Sequence, residues 1–356
     1  MTSAAPGGSI WRRRIITVAI GAFGTLVFWL LDLPIPFLLG PLFACLIAAM
    51  AGVPVKDTGE LGKLMRTILG VAIGASITPD LIARAPQMLA SLALVPVYVV
   101  TIAAIGVPFF RRVYGFDMVT AWYAAMPGGL QDMVLFGQEA GANGRTLALI
   151  HATRIIIIVM LTPFFLVHLF GVDLDNPIGA RAVTLPLHEL LIMAAAAIIG
   201  WKGGERIGLF GAPILGPMIL TAILSLSDIV HVRPPAEAIL SAQFFIGLGL
   251  GAGYVGITLK EIRRDVVAGI FFVVIVASLA AAVTEAIIFF DLAPPVDGFL
   301  AFVPAGQAEM AVLAIVVGAD LGYVVLHHVT RVFLIIMGAP VAARLFGIGK
   351  PKGPDG

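Results

Sequence analysis

Residues 126–133 read "MPGGLQDM", inside a segment otherwise apolar enough to cross a membrane. A proline, paired glycines and a carboxylate do not suit a helix surrounded by lipid. Proline lacks the amide donor and clashes with the preceding turn, and a charge at the bilayer centre costs at least about 2.5–3.5 kcal/mol. Residues 303–310, "VPAGQAEM", repeat the punctuation with Glu in place of Asp. The fold turns on these two stretches. Either each one bends a helix back out of the membrane, or each one kinks a helix that crosses.

The rest of the composition sets the class. The chain has 356 residues, 60% of them hydrophobic and only 12% charged, where a soluble domain carries about 25% charged residues. No soluble core of this size hides so much apolar surface, so a polytopic helical membrane protein is expected. A net charge of +1 argues against nucleic-acid binding. The single cysteine, Cys45, excludes an intrachain disulfide. The N-terminal "IWRRRIITVAIGAFGTLVFWLLDL" has a basic flank, a long apolar run and no small-residue cleavage site, so it reads as an uncleaved first transmembrane helix.

The chain is duplicated. Shifted by 177 residues, positions 126–163 match 303–340 without gaps at twelve of thirty-eight places, including Pro127/Pro304, Gly129/Gly306, Met133/Met310, His151/His328, Arg154/Arg331 and Pro163/Pro340. Asp132/Glu309 and Asn143/Asp320 are conservative pairs. Apolar composition can match Leu with Leu by chance, but not His-x-x-Arg with His-x-x-Arg. The duplication implies two membrane repeats, 14–171 and 187–347, joined by a linker at 172–186, with six hydrophobic segments in each.

Lysine and arginine orient them. With Arg12–Arg14 in the cytoplasm, Lys56, Lys63, Arg66, Arg111 and Arg112 fall inside as well. In the second half Lys202, Arg206, Lys260, Arg263, Arg264, Arg344, Lys350 and Lys352 join them only if the fifth segment of each repeat enters and leaves on one side. The acidic loops (Asp173, Asp175; Asp291, Asp297) then lie outside. The expected fold is all-α: two inverted-topology repeats, each of about five transmembrane helices plus a re-entrant or broken helix, with both termini cytoplasmic. Broken backbone at membrane depth must be buried in protein or line a wet cavity, as in secondary transporters.

The polar residues inside these segments are the candidate site. Arg154 and Arg331 would clamp an anionic solute, with backbone from Pro127, Gly128, Gly129, Pro304 and Gly306 and the side chains of Gln131 and Gln307 assisting. Asp132, Glu309, Asn143, Asp320, His151 and His328 would carry a proton or sodium ion. The plainer alternative is an internal ion pair, Asp132 with Arg154 and Glu309 with Arg331, tying each hairpin to its final helix. Glycines in "LGVAIGASIT" and "FIGLGLGAGY" read as close helix packing. "GAGYVG" at 251–256 follows no β-strand and is no dinucleotide fingerprint. No metal or cofactor motif is present, so no enzyme activity is expected.

"FLLGPL", "MPGGLQDM", "HATRIIIIVMLTPFF", "ILGPMIL", "VPAGQAEM" and "HHVTRVFLIIMGAP" resemble the duplicated Gram-negative AbrB family of inner-membrane proteins, over roughly 14–348. That resemblance implies the labels of gene-expression regulator or ammonia monooxygenase, and no site residues. A soluble DNA-binding repressor shares the name, but this chain does not resemble it and has no basic DNA-reading element. The expected activity is secondary transport of a small anionic organic solute across the bacterial inner membrane, coupled to H+ or Na+. The alternative is a membrane sensor that affects expression through a partner. Expected partners are the lipid bilayer, the solute and the coupling ion, with homo-oligomerisation left open.

Overall fold

The computed structural model describes residues 10–174, 180–209 and 211–348, without the side chains of Ala85 and Gln131. Asp175, Lys350 and Lys352, which help to orient the sequence in the membrane, lie outside the described residues, as do both chain ends.

Every long element among the described residues is an α-helix. In chain order these are α1 (Ile10–Leu30), α2 (Pro36–Met50), α3 (Glu60–Gly74), α4 (Pro79–Arg112), α5 (Met118–Ala125), α6 (Leu130–Ala140), α7 (Gly144–Phe170), α8 (Leu187–Arg206), α9 (Ala212–Leu226) and α10 (Ala236–Ala252). Then come α11 (Leu259–Phe289, with a π-helical turn at Ile262–Val266), α12 (Pro295–Phe302), α13 (Gln307–Val317) and α14 (Leu321–Leu345). Five are long and apolar enough to cross a membrane: α1, α4 from Pro86, α7, α11 and α14. Helices α2, α9, α10 and α13 are apolar but shorter.

The helices sort into two compact units, and each unit draws on both halves of the chain. The first holds α1–α3, α8–α10 and residues 311–322. Small residues let its backbones touch, the usual basis of helix association where lipid removes the hydrophobic drive. A Cβ on Gly70 or Gly74 of α3 would strike the carbonyls of Ile214 and Met218 on α9. A Cβ on Gly247 or Gly251 of α10 would strike those of Leu38 and Leu42 on α2. The linker is tied to this unit through Ala180, whose carbonyl accepts from Ala236 N at 3.0 Å.

The second unit holds residues 84–171, 258–310 and 323 onward. Asp117 caps α5 by accepting from Thr120 N at 2.9 Å, and Asn143 caps α7 by accepting from Arg145 N and Thr146 N, each at 3.1 Å. A capping box of Thr258 and Glu261 opens α11. Helix α5 stops because the residue before a proline is pushed out of the helical region; Met126 has φ −70°, ψ 125°. Val303, before Pro304, does the same at φ −59°, ψ 123°.

After Pro127 the chain reverses direction. Asn143 N, at the start of α7, donates to Thr120 Oγ1 near the start of α5 at 3.0 Å. A continuous helix over 118–140 would separate its ends by roughly 33 Å. Instead α5 and α6 form a helical hairpin whose tip is "MPGG". Gly137 sits where a Cβ would press on Tyr123 of α5 and Leu147 of α7.

Candidate functional site

Arg154 lies ten residues past the first residue of α7, about 15 Å along the axis. Eight residues of α5 reach about 12 Å, so the guanidinium meets the hairpin tip. Its Nη1 donates to Met126 O at 3.2 Å and its Nη2 to Gly128 O at 2.7 Å. One turn earlier, His151 Nε2 donates to Tyr123 O at 3.1 Å. The carbonyls of Tyr123 and Met126 lie at the C-terminal end of α5, where acceptors lack intrahelical partners and the dipole is negative, and that of Gly128 belongs to the tip beyond it. A cation and an imidazole N–H therefore cap the broken end.

The same bonds recur 177 residues on. Arg331 Nη1 donates to Val303 O at 3.2 Å, Arg331 Nη2 to Ala305 O at 2.8 Å, and His328 Nε2 to Leu300 O at 2.8 Å. Both arginines are almost wholly buried, at 1% and 3% exposure. Tyr98 of α4, itself buried, packs against the residue before Val303. Its hydroxyl donates to Val276 O at 3.3 Å and its ring meets Phe302 edge-on. The Nε atoms of Arg154 and Arg331 are buried and have no hydrogen-bond partner.

The expected ion pair between Asp132 and Arg154 does not form, because backbone carbonyls lie closer to hand and take the guanidinium's terminal nitrogens. Asp132 is the third residue of α6 and 9% exposed, where the positive end of the helix dipole favours a carboxylate. Glu309 holds the equivalent place in α13, its carboxylate packed against Gly306. Gln307 opens α13, and the side chain of Gln131 lies outside the described residues.

Pro127, Gly128, Gly129, Pro304 and Gly306 form the two tips. Gly129 has φ −65°, and neither Gly128 nor Gly306 has positive φ, so at Gly128 and Gly306 neighbouring side chains rather than backbone conformation crowd a larger residue. A Cβ on Gly128 would come within 3.0 Å of Met133 and Ile335. Asn143 is not at the tip. It caps α7 at the hairpin's base, and Asp320 stands just before α14.

Sequence reading missed Tyr98, the acceptor carbonyls and a cavity. The carbonyls carry no side-chain signal, and Tyr98 belongs to no motif. The cavity, of about 220 Å³, has an almost wholly apolar wall that includes Pro96, Trp122, Met126, Leu334, Ile335 and Ala339. In that wall Trp122 Nε1 donates to Ala339 O at 3.2 Å. Met126 thus offers its carbonyl to Arg154 and its side of the chain to this space.

Residues 4–347 match the family described as "Transition state regulatory protein AbrB". The chain is 26% identical over 361 residues to "Uncharacterized protein YhjN" of Bacillus subtilis (strain 168), covering 92% of this chain and 91% of that protein. It is 24% identical over 328 residues to "Putative regulator AbrB" of Escherichia coli (strain K12), covering 91% and 94%. With a family match over nearly its whole length and the paired proline-broken tips in place, the chain belongs to the AbrB family.

Proposed function

We propose that the protein is a secondary transporter for a small anionic organic solute, bound where the two tips approach and coupled to H+ or Na+. One observation carries this reading. Two arginines, one at each tip, are almost wholly buried, and each keeps an Nε donor without a partner. An anion at the tips accepts those donors and offsets the buried charge. The apolar cavity beside Met126 suits the hydrocarbon part of such a solute. Asp132 and Glu309 are the coupling candidates.

In this reading the chain is two inverted repeats in the bacterial inner membrane. The α5–α6 hairpin enters and leaves from the cytoplasm, α12–α13 does so from the other side, and both termini are cytoplasmic. The fold-back at Thr120 and Asn143 supports the first half of this, and the basic residues near the helix ends support the orientation. Cysteine introduced at exposed Arg263 should label from the cytoplasmic side; labelling from outside would overturn the inverted topology.

The test is a thermal-stability screen of purified protein against small organic acids, with and without sodium and across pH. A ligand at about 100 times its Kd should add roughly 2.7 kcal/mol. The stabilisation should vanish in folded Arg154→Gln and Arg331→Gln variants, and flux of the same compound into proteoliposomes should accompany it. Binding without flux would favour a membrane sensor acting through a partner, the reading suggested by the "regulator" name of the Escherichia coli relative. A screen without hits, together with unfolded arginine variants, would reduce the arginines to caps.

A further inference from the structure

We propose that Asp265 is a reversible proton-binding site at the base of the first hairpin. Asp265 lies in the π-helical turn of α11 and is 5% exposed. One carboxylate oxygen, Oδ2, accepts from Thr146 Oγ1 at 3.1 Å. The other, Oδ1, is buried and has no hydrogen-bond partner. A buried ionised carboxylate needs donors on both oxygens, and a bare one leaves the desolvation cost of the charge uncompensated. A proton on Oδ1 removes the charge at the atom that no donor reaches. One carboxylate and one hydroxyl supply too few oxygens to replace the shell of a sodium ion, so the ligand is a proton.

The charged groups that act on Asp265 are Arg145 of α7 and Glu261 and Arg264 of its own segment. Both cations are otherwise engaged. Arg145 Nε pairs with Glu261 Oε1 at 2.8 Å, and the Arg264 guanidinium lies over the Phe116 ring at 4.7 Å. The widened turn carries this side chain to Thr146 of α7, and π turns recur at functional sites.

The site is linked to the hairpin by short steps. Thr146 donates its amide to Asn143, and Asn143 donates its own amide to Thr120 of α5. The protonation state of Asp265 thus bears on the hairpin whose tip Arg154 holds. Duplication does not account for it, since the residue 177 positions earlier is Met88 and the counterpart of Thr146 is Tyr323. The proposal stands apart from the transport reading, because proton binding needs no solute.

Infrared titration of the purified protein tests it directly. The carbonyl band of a protonated carboxyl should grow as the pH falls in the wild type. It should lose one carboxyl's intensity in Asp265→Asn, and keep that component in Asp132→Asn and Glu309→Gln. An Asp265→Asn variant that titrates like the wild type overturns the proposal, as does a component present at every pH. If that variant does not fold, carbodiimide modification of the wild type, mapped by mass spectrometry, decides. Modification of Asp265 that falls as the pH rises is expected; an unmodified Asp265, or one modified equally throughout, overturns it.

Discussion

The hairpin at 118–140 and the segment at 295–317 hold their arginines with the same two carbonyl bonds, yet they differ in the histidine beside each. His328 Nδ1 accepts from Arg331 Nη2 at 3.0 Å, so its proton sits on Nε2 and both ring nitrogens are used. His151 Nδ1 is buried without a partner. At the tips, Gly128 in one half stands where Ala305 stands in the other. At the bases, Thr120 is matched by Asp297. Both halves share the capping of broken helix ends by cations, and they differ in the side chains around them. The capping arises from backbone that must be satisfied where water is scarce, so any sequence with this break needs it. The differences are where the two halves have freedom to do different work.

The largest effect should come from removing the shared element. Arg154→Gln and Arg331→Gln each leave two buried carbonyls without their charged donor, and each should cost roughly 3 kcal/mol, read as a fall in Tm in detergent. A loss confined to one variant would break the equivalence of the halves. Next comes the glycine. Gly128→Ala puts a methyl against Met133 and Ile335 and should cost about 1–3 kcal/mol, whereas Ala305→Gly should cost about 1 kcal/mol or less. Equal losses would show that the tips are packed alike.

The histidines sharpen the contrast further. His328→Ala removes two hydrogen bonds and His151→Ala one, so the first should be less stable by about 1 kcal/mol. The smallest effect lies in the first unit, where the loops after α2 and α9 are tied down differently. Lys56 N donates to Thr17 Oγ1 at 2.8 Å, a tie that does not titrate. Glu189 instead accepts from His231 N at 2.9 Å and lies 3.3 Å from its ring Nδ1. Hydrogen bonds that the His231 ring donates to the Asp228 and Glu189 carboxylates raise its pKa above the ordinary value near 6.5. A raised value means that the stabilisation is complete below about pH 6.5 and fades as the pH rises through the folded-state value. The wild type should therefore lose a little Tm over that window, and His231→Gln should not.

Much of the helix order was legible because apolar runs and proline breaks are local. The segment read at 146–170 is helix Gly144–Phe170, and the fifth segment of each half is broken at its proline. Of the candidate site, Arg154 and Arg331 were legible, because charges in apolar runs stand out. Their partners were not. Carboxylates were expected by charge, but Arg154 donates to main-chain carbonyls and Arg331 to main-chain carbonyls and the His328 ring, and a carbonyl, which every residue has, does not stand out in sequence. Asp265 was invisible for a related reason: in sequence it belongs to a charged cluster, "KEIRRDV", that reads as a solvated helix end.

The sequence by itself indicated a helical, apolar chain in which one motif stands twice, 177 residues apart, each copy interrupted by proline. Composition and chain stiffness act locally, so they can be read locally. Tertiary structure decided the rest. Each compact unit takes helices from both halves; in the first, glycines of α3 and α10 lie against the backbones of α9 and α2 from the other half. Which polar atoms meet depends on distances between residues far apart in the chain. Only the folded molecule could place Arg154 on the carbonyls of residues 126 and 128, and Asp265 on the hydroxyl of Thr146.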